Sequence, residues 1–308
     1  MNPRFRAVLL LAFALIVSAA NLSALVIFGG TANGNQRFGG TFPSAPTANG
    51  SFLFSVFDFS GVGWQTASSA FGVTMISPQQ YLTAAHVAPG IGSSLTFLNA
   101  DGVLKTYTVA STSAITLPFN GATTDLVVGR LTAPISAADK VAFYPTLLLN
   151  SFNAYLNLPV LAYGQTGVVG TNTVASFAVN FDLLPFGGGN GTPDSIVVVT
   201  QFDPITGESQ AQAGDSGSPT FFVAGGQLTI VGVHSAINGA PPAGANDRYF
   251  RAELLHPNQW AARERRLFFR RLGRSPGTGH HRVARRPGRS GVCRLPAPPP
   301  DVIRLRLC

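Results

Sequence analysis

Apolar residues recur along this chain in short runs divided by clusters of Gly, Asn, Pro and Ser. Runs rich in β-branched and aromatic residues cover 52–59, 95–98, 107–110, 126–131, 160–163, 195–200 and 228–233. Between turn formers, runs of that length and composition read as β-strands. Only 251–260 carries a 3.6-residue period, which predicts a short helix there. Many short strands with turn signals between them predict an all-β barrel or sandwich rather than alternating strands and helices. The cluster Gly187-Gly188-Gly189-Asn190-Gly191 reads as a mobile surface loop.

Three polar residues interrupt the apolar pattern in distinctive settings. His86 ends Leu82-Thr83-Ala84-Ala85-His86, Asp125 opens Asp125-Leu126-Val127-Val128, and Ser216 stands in Gly214-Asp215-Ser216-Gly217-Ser218-Pro219. A serine hydroxyl needs a base to become a nucleophile at neutral pH. Imidazole suits that task because its ordinary pKa lies near physiological pH. A carboxylate on the far ring nitrogen fixes the tautomer and stabilises the imidazolium. Without a Cβ, Gly214 can turn its N–H toward a developing oxyanion beside that of Ser216, each such donor contributing roughly 2.7–4 kcal/mol. Each residue alone has an ordinary structural explanation as a turn serine, a packed histidine or a strand cap. Together they make a relay, provided all three lie within hydrogen-bond reach.

The three segments resemble the motifs of the chymotrypsin-like (trypsin-fold) serine endopeptidases, over a stretch of about 26–260. The resemblance implies two six-stranded antiparallel β-barrels with the active site in the cleft between them. It implies His86 as general base, Asp125 as orienting carboxylate, Ser216 as nucleophile, and Gly214 and Ser216 as oxyanion-hole amides. Ser218, where glycine is commoner, and a cysteine-free body resemble bacterial members of that family. The expected organisation is a signal peptide over 1–20, an N-terminal barrel over 26–140, a linker near 133–150, a C-terminal barrel over 150–260, and a tail over 261–308. No metal or organic cofactor is implied. The expected partners are protein or peptide substrates.

Composition changes the picture mainly at the two ends. Arg4 and Arg6 precede the apolar run 7–17, and Ser18-Ala19-Ala20 follows, which is the pattern of an export signal. A retained anchor is the alternative, but the run is shorter than the roughly 20 residues a spanning helix needs. Secretion, or a cell-surface or periplasmic location, is therefore expected, with no stable membrane insertion once the signal is cleaved. Residues 261–308 hold thirteen Arg and no Lys against Glu264 and Asp301, a net charge of +11. The first 260 residues carry −3, so the chain's +8 belongs wholly to the tail. Three readings of the tail stand: a basic arm, a solvated disordered extension, and out-of-frame translation of a GC-rich gene. The latter two are favoured, and no nucleic-acid binding is expected. Both cysteines, Cys293 and Cys308, lie there, and Val87 follows His86 where that family often has a cysteine. A body of this size can hold itself by core burial without disulfides.

By the same resemblance the substrate pocket involves Gln210, six residues before Ser216, and His234 with Ser235 on Val231-Gly232-Val233-His234-Ser235-Ala236. An amide at Gln210 gives no carboxylate to pair with a basic substrate side chain. His234 resembles the histidine with which glutamyl-specific members receive an acidic side chain; a packed strand histidine is the alternative. Val26-Ile27-Phe28-Gly29-Gly30 resembles the start of mature family proteases, whose freed amine pairs with the acid before the nucleophile, here Asp215. An ordinary strand start is the other reading of that segment. The overall expectation is a secreted serine endopeptidase with a preference for acidic residues before the scissile bond. The competing class is a non-catalytic peptide- or surface-binding protein on a protease scaffold.

Overall fold

The computed structural model describes residues 25–30, 33–66, 71–116, 123–181, 195–202, 206–237 and 249–254. The signal segment 1–20, the glycine cluster 187–191 and the tail 261–308 lie outside them. Three short strands come first: β1 (Val26–Ile27), β2 (Phe38–Thr41) and β3 (Ala45–Ala48), the last two pairing as a hairpin. Next come β4 (Val62–Gln65), β5 (Gly72–Met75), β6 (Gln80–Ala84), β7 (Ser94–Leu98), β8 (Leu104–Thr116) and β9 (Thr123–Leu131). They close into a barrel in the order β4-β5-β6-β9-β8-β7. The second set is β10 (Pro159–Tyr163), β11 (Val169–Phe181), β12 (Ser195–Gln201), β13 (Ser209–Gln210), β14 (Pro219–Ala224), β15 (Gln227–Ile237) and β16 (Tyr249–Leu254). All but β13 close a second barrel in the order β10-β11-β12-β16-β15-β14, while β13 pairs with β1. Neighbouring strands in both barrels are antiparallel, the architecture that the sequence motifs imply.

Two-sided burial explains why so many strands read as unbroken apolar runs rather than alternating ones. Successive side chains on a strand face opposite ways. On β10, Val160 and Ala162 join the core of the second barrel, and Leu161 and Tyr163 join a cluster shared by both barrels. On β6, Tyr81 enters the core of the first barrel and Leu82 and Ala84 enter the shared cluster. That cluster also takes Leu126 and Val128 from β9 and Phe221, Ile230 and Val233 from β14 and β15. The barrels thus meet along a continuous apolar seam.

Two sequence expectations fail. Residues 52–59 form consecutive turns, with N–H to carbonyl bonds from Phe52 to Asn49, Ser55 to Phe52 and Phe57 to Phe54. Their aromatic residues are drawn onto the shared cluster without a ladder, with Phe52 and Phe59 buried and Leu53 and Val56 left exposed. Of the stretch 251–260 expected to be helical, the described part as far as Leu254 is strand, because β16 fills the slot between β12 and β15, and residues 255–260 lie outside the described residues. Tertiary pairing overrides a weak local period there.

The segment ahead of the first barrel is fastened by Arg37, which is buried. Its guanidinium donates to the carbonyls of Val62 (3.1 Å) and Leu98 (2.7 Å) and to the Tyr163 hydroxyl (2.9 Å). Val62 and Leu98 belong to the first barrel and Tyr163 to the second, so one side chain bonds across the seam. The Phe38 ring lies 4.8 Å from its central carbon, a cation–π contact.

Candidate active site

Strand register brings His86 to Asp125. In the β6–β9 pair Ala84 stands opposite Leu126, so the residue before Leu126 and the 3₁₀ turn after Ala84 meet at one edge. The His86 backbone N–H donates to Asp125 Oδ1 at 3.0 Å, and His86 Nδ1 lies 2.8 Å from Oδ2. Asp125 is 2% exposed, so this carboxylate is held from two sides away from water. The other ring nitrogen, His86 Nε2, lies 2.9 Å from Ser216 Oγ. The three residues form one hydrogen-bonded chain from the first barrel to the second.

The turn that carries Ser216 is clamped on both sides. Gly72, at the start of β5, donates its N–H to the Ser216 carbonyl at 3.3 Å, and the Thr83 hydroxyl donates to the Gly72 carbonyl at 2.8 Å. Toward β15, Gly217 N–H donates to the His234 carbonyl (2.9 Å) and His234 N–H to the Ser218 carbonyl (2.8 Å). A Cβ on Gly72 would sit 2.7 Å from Ser218 Cα and N. The bare Gly72 α-carbon leaves room for Ser218, which is fully buried.

Gly214 has φ +102, a conformation open to glycine and strained for other residues. Its N–H and that of Ser216 have no acceptor among the described residues. Asp215 between them points inward and is 1% exposed. Its carboxylate accepts from the N–H of Gln165 (2.9 Å), of Gln212 (2.8 Å) and of Leu25. Burial pushes its carboxyl up to about 7, against the pull of those three donors. The donor from the start of the chain is therefore Leu25, ahead of the segment 26–30 that resembled a mature terminus. Val26 and Ile27 are taken up by the β1–β13 pair.

The family model of trypsin matches residues 46–253, more than half of the chain, from β3 to β16. The chain belongs to the trypsin family. No curated protein matches it. Membership of this family of serine proteases implies peptide substrates. Among the described residues of this trypsin-family chain, no helix is long and apolar enough to cross a membrane.

The pocket residues expected from the sequence fall around the same turn. Gln210 is half-buried, pairs with Val26, and accepts from Gln212 Nε2 through both its carbonyl and its side-chain oxygen at 3.4 Å. His234 is 1% exposed, and its Nε2 lies 3.0 Å from Thr220 Oγ1. Burial holds its imidazole well below the ordinary histidine range, so the ring is neutral. Ser235 beside it is equally buried. Sequence reasoning did not find Leu25, Gln165, Gln212, Gly72, Thr83 or Thr220. Of these only Thr83 lies in a motif, and each acts through a contact that only the folded chain creates.

Proposed function

We propose that this protein is a secreted serine endopeptidase in which Ser216 is the nucleophile, His86 the general base and Asp125 the carboxylate that orients His86. The observation that carries this is the hydrogen-bonded chain Asp125–His86–Ser216, with heavy-atom distances of 2.8 and 2.9 Å. Both fall in the range required for proton transfer. With Nδ1–H donated to Asp125, Nε2 is left as the acceptor for the Ser216 proton. Ser216 Oγ attacks the peptide carbonyl as His86 takes its proton, and the resulting imidazolium returns that proton to the leaving amine. The N–H groups of Gly214 and Ser216, unbonded within the described protein, receive the oxyanion. Water then repeats the sequence on the acyl-enzyme. Ser216→Ala should abolish both peptide hydrolysis and labelling by a serine-directed phosphonate. A correctly folded wild-type protein that resists the phosphonate would sink the proposal in favour of a binding protein on this scaffold.

The finer part of the proposal is an acidic residue before the scissile bond. Gln210 supplies no carboxylate for a basic side chain, and His234 is a neutral donor. Its Nε2 is paired with Thr220 Oγ1, and a neutral imidazole offers one N–H of the kind that hydrogen-bonds a carboxylate. In a peptide panel varied at that one position, Glu should be cleaved fastest, and His234→Ala should erase the preference. Equal or better cleavage after Phe or Lys would refute it.

The contact between Leu25 N–H and Asp215 favours a second element. Cleavage after residue 24 would turn this donor into an ammonium group facing a buried carboxylate, an ion pair stronger than the amide hydrogen bond it replaces. Active enzyme should then begin at Leu25 on N-terminal sequencing. Full activity with a terminus at Asn21 would rule this activation out.

A further inference from the structure

Gln165 lies two residues beyond β10, in the turn to β11, and is 3% exposed. Its backbone N–H holds Asp215 Oδ1 at 2.9 Å. Its side chain folds over the same turn, with the amide oxygen 2.7 Å and the amide carbon 3.5 Å from where a Cβ on Gly214 would sit. The β10–β11 turn is itself tight, with Gly164 N–H on the Val168 carbonyl (2.7 Å) and Gly167 N–H on the Gly164 carbonyl (3.0 Å). A rigid hairpin tip therefore presents one residue to both Asp215 and Gly214.

We propose that Gln165 is a positioning residue for the oxyanion site, an inference that rests on the protease reading above. The Ala213–Gly214 peptide carries one of the two N–H groups assigned to the oxyanion. A glycine on one side leaves that peptide unusually free to turn over. Asp215, held by Gln165, Gln212 and Leu25, fixes the C-terminal side of Gly214. The Gln165 side chain fills the space beside the Gly214 α-carbon and resists the remaining rotation. Its neutral amide suits this place, because a carboxylate there would oppose the negative charge that develops on the oxyanion.

The test compares wild type with Gln165→Ala, which removes the side chain while keeping the backbone N–H, and Gln165→Glu, which adds charge. We expect kcat to fall about tenfold in the first and about a hundredfold or more in the second, the order of losing one oxyanion donor. KM should stay within about threefold, and affinity for a peptide boronate, a mimic of the tetrahedral state, should fall in step with kcat/KM. Backbone amides of residues 212–216 should exchange faster in both variants by more than any fall in the urea midpoint accounts for. Unchanged boronate affinity, or unchanged exchange across 212–216, would overturn the proposal. If wild type neither cleaves peptides nor binds the boronate, the protease reading fails by itself, and the exchange comparison still decides whether Gln165 holds the turn.

Discussion

Gly72 and Ser216, far apart in the chain, meet where the Gly72 N–H donates to the Ser216 carbonyl at 3.3 Å, one barrel bracing the nucleophile turn of the other. The contact is so close that any side chain on Gly72 would strike the Ser218 backbone. Gly72→Ala should therefore destabilise the fold by about 1–3 kcal/mol, as overpacking of a tight site does. It should also lower kcat by displacing Ser216 from His86. Urea unfolding and steady-state kinetics on the same sample would separate the two effects.

Asp125→Asn should keep the contacts of this site while losing the tautomer that leaves His86 Nε2 free to accept. An amide can donate to Nδ1, which puts the imidazole proton on the wrong nitrogen. A fall in kcat of about 10⁴ is expected, the scale of the same change in this constellation elsewhere. Phosphonate labelling should slow in proportion.

Arg37→Met should act on stability and leave the chemistry nearly untouched. It strips a donor from two buried carbonyls and the Tyr163 hydroxyl while keeping most of the apolar stem. Unsatisfied buried acceptors each cost about 1–3 kcal/mol. A clear drop in the urea midpoint with kcat within about twofold of wild type is expected. A kcat loss larger than the stability loss would mean that Arg37 reaches the site.

The Asp215 carboxyl sets a pH dependence of unusual sign. Its folded value is raised from 3.8 to about 7, so between those limits the folded state holds a proton that the unfolded state has lost. Stability from this group is greatest below about pH 4 and declines as pH rises toward 7. Subtracting the pH profile of Asp215→Asn from that of wild type should isolate this slope. A difference that rises with pH would show that Asp215 is ionised in the folded chain.

Motifs made the candidate site legible because its chemistry restricts residue types locally. A base after a strand, a carboxylate opening a strand and a serine between glycines are visible without any contact information. The supporting residues were not legible for the opposite reason. Gln165 and Gln212 hold Asp215 through backbone N–H groups, which every residue but proline has, and the Gln165 side chain meets Gly214 only in the folded chain, so no local pattern marks either role. Gly72 matters for the Cβ it lacks, and Thr83 for a carbonyl on a neighbouring strand. The fold shows the same division. Runs such as 126–131 and 160–163 are strands by composition and by structure. The aromatic run 52–59 has the composition of a strand but is bent into turns by the apolar seam that receives it.

By itself the sequence determined that the chain is built of short β-strands, and it named the three side chains able to form an acyl-transfer relay. Period, composition and motif are local properties, and those conclusions need nothing more. Tertiary structure alone decided that the strands close into two barrels, each with its own core, that meet on a shared apolar cluster. It also decided that the β6–β9 register seats His86 on Asp125, and that Asp215 is held by Leu25 rather than by the segment 26–30. Those outcomes depend on which backbone groups meet across long stretches of chain. That meeting is set by burial on both faces of each strand, which no window of sequence contains.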